Sequence, residues 1–113
     1  MYVNLDILKT YADGDSGFLI DMIDKFNAEI PEVLKNLQKA LDNKDWDNLR
    51  QIAHKMIGTM GVFNIAQITP VLQKIEQNCI SLPSTEILAP LVQEVKTITK
   101  ASMKELEQEK AQL

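Results

Sequence analysis

The sequence has few of the residues that give small proteins cross-links or large aromatic cores. It contains one cysteine, one tryptophan, two tyrosines and three phenylalanines among 113 residues. A lone cysteine, Cys79, excludes an internal disulfide and favours a reducing compartment. Because aromatic residues are scarce, Leu, Ile, Val and Met must supply most of the core, and we expect Cys79 to lie among them.

Excess positive charge is also missing. The formal net charge is −4, the pI is near 4.9, and no run of Lys or Arg occurs. This composition argues against nucleic acid or an anionic membrane surface as the partner, because both attract basic patches. No apolar run reaches the roughly 18 residues of a membrane span, and the N-terminal stretch contains Asp6 and no basic leader. We therefore expect a cytoplasmic protein without membrane insertion.

Apolar residues recur with helical spacing along the whole chain, and no window alternates with a period of two. Turn signals lie at residues 13–17, 42–45 and 81–84. The pattern predicts five helices at about residues 4–12, 16–41, 46–63, 65–79 and 85–110, with Asp15 or Ser16, Asp45, and Ser84 or Thr85 at their starts. Pro31 is expected to kink the second helix or split it in two.

These helices predict the fold class. Four long helices with short connections indicate an all-α, antiparallel four-helix bundle, and the short first helix is an addition at the N-terminus. A chain of 113 residues fits a single domain spanning residues 1–113. The predicted inward residues of the third helix are Trp46, Leu49, Ala53, Met56, Met60 and Phe63. Those of the other long helices are Leu19, Met22, Phe26, Ile30, Val33, Leu37 and Leu41; Ile65, Ile68, Leu72, Ile75 and Cys79; and Leu88, Leu91, Val95 and Ile98.

His54, the only histidine, lies on the outer face of the third helix. At about 100° per residue it falls about 130° from the centre of the apolar stripe, so it should face solvent. Gly58 and Gly61 follow at i+4 and i+7 on the same side, and an interior glycine costs a helix about 0.5–1 kcal/mol. Gly58 would leave the imidazole open to a bulky reactant, whereas Gly61 fits either access or close helix packing.

Other kinds of chemistry have little support in the sequence. A metal site would need a second His or Cys near His54, and there is none. Nucleophilic catalysis by Cys79 would need a histidine partner, but Cys79 is predicted on the inward side of a different helix from His54. No glycine-rich loop for a nucleotide occurs. We therefore expect no metal, no cofactor and no kinase activity on this chain.

The segment from residue 53 to residue 64, AHKMIGTMGVFN, resembles the signature of histidine phosphotransfer (HPt) domains. That signature has a histidine, any residue, an aliphatic residue, lysine, glycine, two small residues, and a further glycine after an apolar residue. In this resemblance His54 is the phosphorylated histidine, Met56 the aliphatic residue, Gly58 the glycine and Thr59 the first small residue. The resemblance extends from about residue 5 to residue 76.

The resemblance implies a phosphorelay intermediate, a phosphocarrier rather than a turnover enzyme. His54 would accept a phosphoryl group from the aspartate of one receiver domain and donate it to another. The implied partners are response-regulator receiver domains and a hybrid sensor histidine kinase, and we expect a monomer. The partner would supply Mg²⁺, so the carrier needs only an exposed ring and a docking surface.

Two positions depart from the family pattern. Ile57 stands where the family usually has lysine, and Asn64 stands where it usually has glycine; asparagine adopts turn conformations nearly as well. Without the lysine, the phosphoryl group lacks a neighbouring cation. Arg50, about 40° from His54 around the helix, is the better replacement, and Lys55, about 100° away, would have to reach.

Ile57 has two possible roles. It either widens the buried stripe, as Ile52 does on the opposite side, or docks the partner together with Gln51; we favour docking. The missing lysine also keeps an alternative function open, namely a docking or adaptor module with the HPt fold that no longer transfers phosphate.

Overall fold

The computed structural model describes residues 1–113 and contains five helices and no strand. The helices are α1 (Asp6–Ala12), α2 (Ser16–Asp42), α3 (Trp46–Val62), α4 (Thr69–Ser81) and α5 (Thr85–Lys110). None of them combines the length and the apolar character that a membrane crossing requires.

The four long helices form an antiparallel bundle, as predicted, and the short α1 packs against α2. Around the bundle each helix contacts its two neighbours in the order α2, α3, α4, α5 and back to α2. The pair α3 and α4 therefore lies on the opposite side from the pair α2 and α5. The molecule measures 47 × 20 × 20 Å, so both sides are long, shallow surfaces.

Three polar residues begin the long helices in the way that the sequence predicts. Asp15, Asp45 and Ser84 each accept a hydrogen bond from the backbone N–H of the third residue along, at 3.1, 3.3 and 3.2 Å. Such N-caps satisfy amides that have no partner within the helix, and each contributes on the order of 1 kcal/mol. They also fix where α3 begins and hence the position of every side chain along it.

Two predicted helix boundaries can be checked against the structure. At Pro31, where a kink or a split was expected, the split does not occur, because α2 continues through the proline from Ser16 to Asp42. Buried Ile30 and Leu34 anchor α2 in the core on both sides of the proline, which offsets the one lost amide donor. The fourth helix begins at Thr69 rather than residue 65, since Asn64 has a left-handed backbone (φ 53°) that ends the preceding turn.

The core is aliphatic, but the inward direction differs from the prediction at some positions. Five residues predicted to be buried are only half-buried: Met22, Val33, Trp46, Cys79 and Leu91. Three neighbours are fully buried in their place: Ile23, Leu34 and Val92. On a helix rich in apolar residues, two adjacent series of positions both follow steps of three and four. The contact with the neighbouring helix decides which series is buried.

The N-terminal segment before α1 forms hydrogen bonds to two helices, α3 and α5. The backbone amides of Tyr2 and Val3 donate to Oε1 of Glu105 on α5, at 2.7 and 3.1 Å. The amide of Asn4 donates to the carbonyl of Phe63, which ends α3, at 3.0 Å. Val3 is buried beside these contacts, so the segment is part of the packed structure.

Candidate functional site

His54 projects from the outer face of α3. Its side chain is 73% exposed, whereas the adjacent Ala53 and the nearby Met56 are buried in the core. The two buried residues fix the rotation of α3, because turning the helix would move them into solvent. The packing therefore presents the imidazole to solvent, on the side that the spacing predicts.

Glu76 on α4 contacts the ring. Its Oε1 lies 2.7 Å from Nδ1 of His54, and the carboxylate is 20% exposed. A carboxylate only accepts hydrogen bonds, so a neutral imidazole donates its Nδ1–H to Glu76 and keeps the lone pair on Nε2. No Lys or Arg nitrogen lies within 4.0 Å of this carboxylate, so His54 is the only basic side chain in contact with it.

Glu76 was not among the site residues predicted from the sequence. The contact joins residues 22 positions apart and depends on how α3 and α4 pack, which periodicity within one helix does not report. One signal was present. Glu76 is the only acidic residue of α4, and it directly follows the buried Ile75, so it lies at the edge of the face that packs on α3.

The two glycines leave open space beside the histidine. A Cβ atom added to Gly58 or Gly61 would meet no atom within 4 Å outside its own helical surroundings. Of the two interpretations of Gly61, close packing against a neighbouring helix therefore does not apply. Because side chains lean towards the helix N-terminus, a larger residue at position 58 would cover the space next to His54.

Arg50 and Gln51 bind the same carboxylate, Asp47. Nη2 of Arg50 lies 3.0 Å from Oδ1 of Asp47, and Nε2 of Gln51 donates to Oδ2 at 3.0 Å. Arg50, predicted as the replacement for the missing lysine, thus has an ionic partner one turn before His54. Lys55 is exposed and its side chain forms no ion pair, so it remains free to move.

Ile57 and Asn64 occupy the positions that depart from the family pattern. Ile57 is half-buried and packs against the core, so part of its side chain stays accessible beside His54. Asn64 has a φ of 53°, in the left-handed region, where glycine is the usual residue and asparagine is among the best tolerated alternatives. The chain thus keeps the backbone geometry at this position without the glycine.

Cys79 lies near the same cluster but is poorly suited to chemistry. Burial, opposed by the nearby Arg50 and reinforced by Glu76, raises the pKa of the Cys79 thiol to about 11. A thiol with such a pKa is protonated at neutral pH and therefore weakly nucleophilic. The chain also has no group of three or more His, Cys, Asp or Glu side chains that could hold a metal ion.

Most of the bundle matches a known protein family. The family model for the Hpt domain matches residues 21–112, and the chain belongs to this family. The match includes α5, which the sequence resemblance did not reach, and leaves α1 outside. A search of curated proteins finds no match.

A solved structure has the same fold. The chain superposes with a TM-score of 0.80 on the crystal structure of the HPT domain from an Hpt sensor hybrid histidine kinase of Shewanella. The two sequences are 22% identical, and the alignment covers 99% of this chain and 96% of the other. At this identity the likeness shows the fold alone.

Proposed function

We propose that this protein is a phosphorelay intermediate in which Nε2 of His54 carries the phosphoryl group. The observation that supports this best is the contact between His54 Nδ1 and Glu76 on an otherwise exposed ring. It holds Nδ1 as the protonated nitrogen and directs the Nε2 lone pair outward, next to the space left by Gly58. Membership of the Hpt family supports the same role.

The transfer needs only the ring and its carboxylate on this side. The Nε2 lone pair attacks the phosphorus of an aspartyl phosphate on a receiver domain. A nitrogen–phosphorus bond forms as the bond between phosphorus and the aspartate oxygen breaks, and the aspartate leaves as a carboxylate. The ring then carries a positive charge, which the Glu76 carboxylate offsets across the 2.7 Å contact. Attack by the aspartate of a second receiver reverses these steps and restores the neutral ring.

The partners, the docking residues and the location of the protein are also part of the proposed function. The partners are response-regulator receiver domains and a hybrid sensor histidine kinase, which supply the Mg²⁺ and the acidic pocket for phosphoryl transfer. Ile57, with Gln51, is the proposed docking contact, and Lys55 is the mobile cation. The protein acts as a monomer in the cytoplasm. One core joined from Val3 to Leu106 supports treating residues 1–113 as a single domain.

A second function is favoured by one specific feature. Ile57 replaces the family's lysine, and Arg50 is paired with Asp47. A site without a cation next to the phosphoryl group would suit an adaptor that binds receiver domains but does not accept phosphate. The two functions share the docking surface and differ only at His54.

Labelling with ³²P distinguishes them. The purified protein is incubated with Mg²⁺ and each of a panel of receiver domains phosphorylated with ³²P. We expect label on this chain that is lost in acid and stable in base, as expected for phosphohistidine. His54→Gln should carry no label while keeping the helicity and thermal unfolding of the parent, because the exposed ring contributes little to packing.

Two results would contradict phosphoryl transfer on His54. Acid-labile label on the His54→Gln variant would rule out His54 as the site. Binding of a receiver without any labelling from the whole panel would favour the adaptor function.

A further inference from the structure

A basic groove lies between α2 and α5, on the side of the bundle opposite His54. It has a volume of about 710 Å³ and is lined by four lysines and one aspartate: Lys35, Lys39, Lys96, Lys100 and Asp42. On a chain with 16 acidic residues and a net charge of −4, four of the twelve basic residues meet here. The sequence has no basic run and did not predict this surface, because the lysines come from helices far apart in the chain.

The arrangement of these lysines costs stability. Lys35 and Lys39 are four residues apart on α2, and Lys96 and Lys100 are four apart on α5. Like charges at this spacing destabilise a helix. None of the four has a carboxylate within 4.0 Å, although acidic residues are abundant elsewhere. The groove therefore concentrates positive charge that the fold itself does not neutralise.

The base of the groove is partly apolar and partly hydrogen-bonded. Buried Leu34 and half-buried Met103 form its floor at one end, next to Pro31. At the other end the Lys96 ammonium donates to Oε1 of Gln38, and Nε2 of Gln38 donates to Asp42 at 2.8 Å. This chain of hydrogen bonds engages Oδ1 of Asp42, the single acidic group of the lining, and Asp42 forms no ion pair with the lysines.

We propose that this groove binds an acidic, helix-forming segment of a partner protein. From Pro31 to Asn43 the α2 wall extends about 18 Å, which accommodates three turns of helix and is much longer than a single phosphate group. Lysines on both walls complement Glu or Asp on the two flanks of such a helix, and the apolar floor accepts its Leu or Met side chains. This is a separate surface from the His54 site and does not depend on phosphoryl transfer.

The position of the groove relative to His54 matters for the proposed relay. Since α3 and α4 face away from α2 and α5, a partner seated on the lysines leaves His54 open. A second protein can then hold the carrier while a receiver domain approaches His54. The groove would raise the local concentration of a receiver whose chain, or whose associated protein, supplies the acidic segment.

The test uses a defined probe and a charge-matched control. A fluorescent 14-residue helical peptide with Leu on one face and Glu on both flanks is titrated with the full chain at low salt, followed by anisotropy and by backbone amide NMR. We expect binding, shifts centred on the four lysines, and weakening as salt is raised. Lys39→Glu with Lys100→Glu should weaken binding about tenfold or more. These changes leave opposite charges at i,i+4, so the fold should be retained.

Lys9→Glu with Lys74→Glu is the control, because it changes the net charge equally outside the groove; binding should persist, as it should in His54→Gln. Equal weakening by the control pair would reduce the effect to net charge and overturn the proposal. Absence of peptide binding, or equal binding of the all-Gln peptide, would also overturn it. Binding of phosphatidylserine vesicles without peptide binding would assign the lysines to a membrane surface instead.

Discussion

The inner and outer faces of α3 differ in what their residues contribute. On the inner face Leu49, Ala53 and Met60 are each 0% exposed. The outer face carries His54, Gly58 and Gly61: the His54 side chain reaches solvent, and the two glycines leave empty space. The inner residues hold the helix at one rotation, and the outer residues use that rotation to present a ring. One helix thus combines a strongly packed face with a face on which stability is given up for access.

Leu49→Ala should have the largest effect on stability. Removing a fully buried leucine side chain is expected to lower the free energy of unfolding by about 2–5 kcal/mol, through lost burial and a residual cavity. Urea unfolding followed by circular dichroism measures this change. Phosphoryl transfer by the folded fraction should be unaffected. A loss below about 1 kcal/mol would mean that the inner face is less tightly packed than its burial indicates.

Ile57→Lys tests the boundary between the two faces. Ile57 is half-buried, and the lysine stem lets the ammonium reach water, so we expect a loss of about 1 kcal/mol. If Ile57 docks the partner, the change also weakens receiver binding, measured by calorimetry. Ile52→Lys is the matched control, since Ile52 is half-buried against the same core. Equal weakening by both variants would argue against a docking role for Ile57.

Gly58→Gln should change stability and transfer in opposite directions. The helix gains up to about 1 kcal/mol because glycine is a poor helix former and the site is open. Transfer should slow, since the new side chain leans over the imidazole. Gly58→Ala provides the comparison, because it gains similar helix stability without the length to cover the ring. A Gln variant that is more stable and equally fast would show that access is not the reason for the glycine.

Glu76→Gln should have the smallest effect on stability and a clear effect on rate. The amide oxygen still accepts the Nδ1–H, so folding should change by less than about 0.5 kcal/mol. Loss of the charge removes about 1–1.5 kcal/mol of support for the phosphorylated ring, so single-turnover transfer should slow about tenfold. Unchanged transfer in both Glu76→Gln and Glu76→Ala would mean that Nδ1 needs no partner.

The sequence predicted the fold class and much of what depends on single helices. The all-α bundle, the cap at Asp45 and the exposure of His54 agree with the structure, as do the caps at Asp15 and Ser84, each of which was one of two candidates. What depends on two helices was not predicted. Glu76 reaches His54 only because α4 packs at one particular height along α3.

Two other features of the structure also depend on packing between helices and were not predicted from the sequence. Pro31 remains within α2 because tertiary packing on both sides outweighs a local preference that the sequence alone displays. The lysine groove joins Lys35 and Lys39 with Lys96 and Lys100, which no local pattern connects. Sequence periodicity thus describes helices well and describes the surfaces between helices poorly.

The segment ahead of α1 has a consequence for hydrogen exchange. Chain ends normally exchange their amide protons within the dead time of the measurement, because they are rarely protected. Here the amides of Tyr2 and Val3 are held by Glu105 and that of Asn4 by the carbonyl of Phe63. These three protons should exchange slowly. Those of Tyr2 and Val3 report on the contact with α5, and that of Asn4 reports on the end of the histidine helix, so deuterium uptake at position 4 would reveal local opening of α3 before the bundle unfolds.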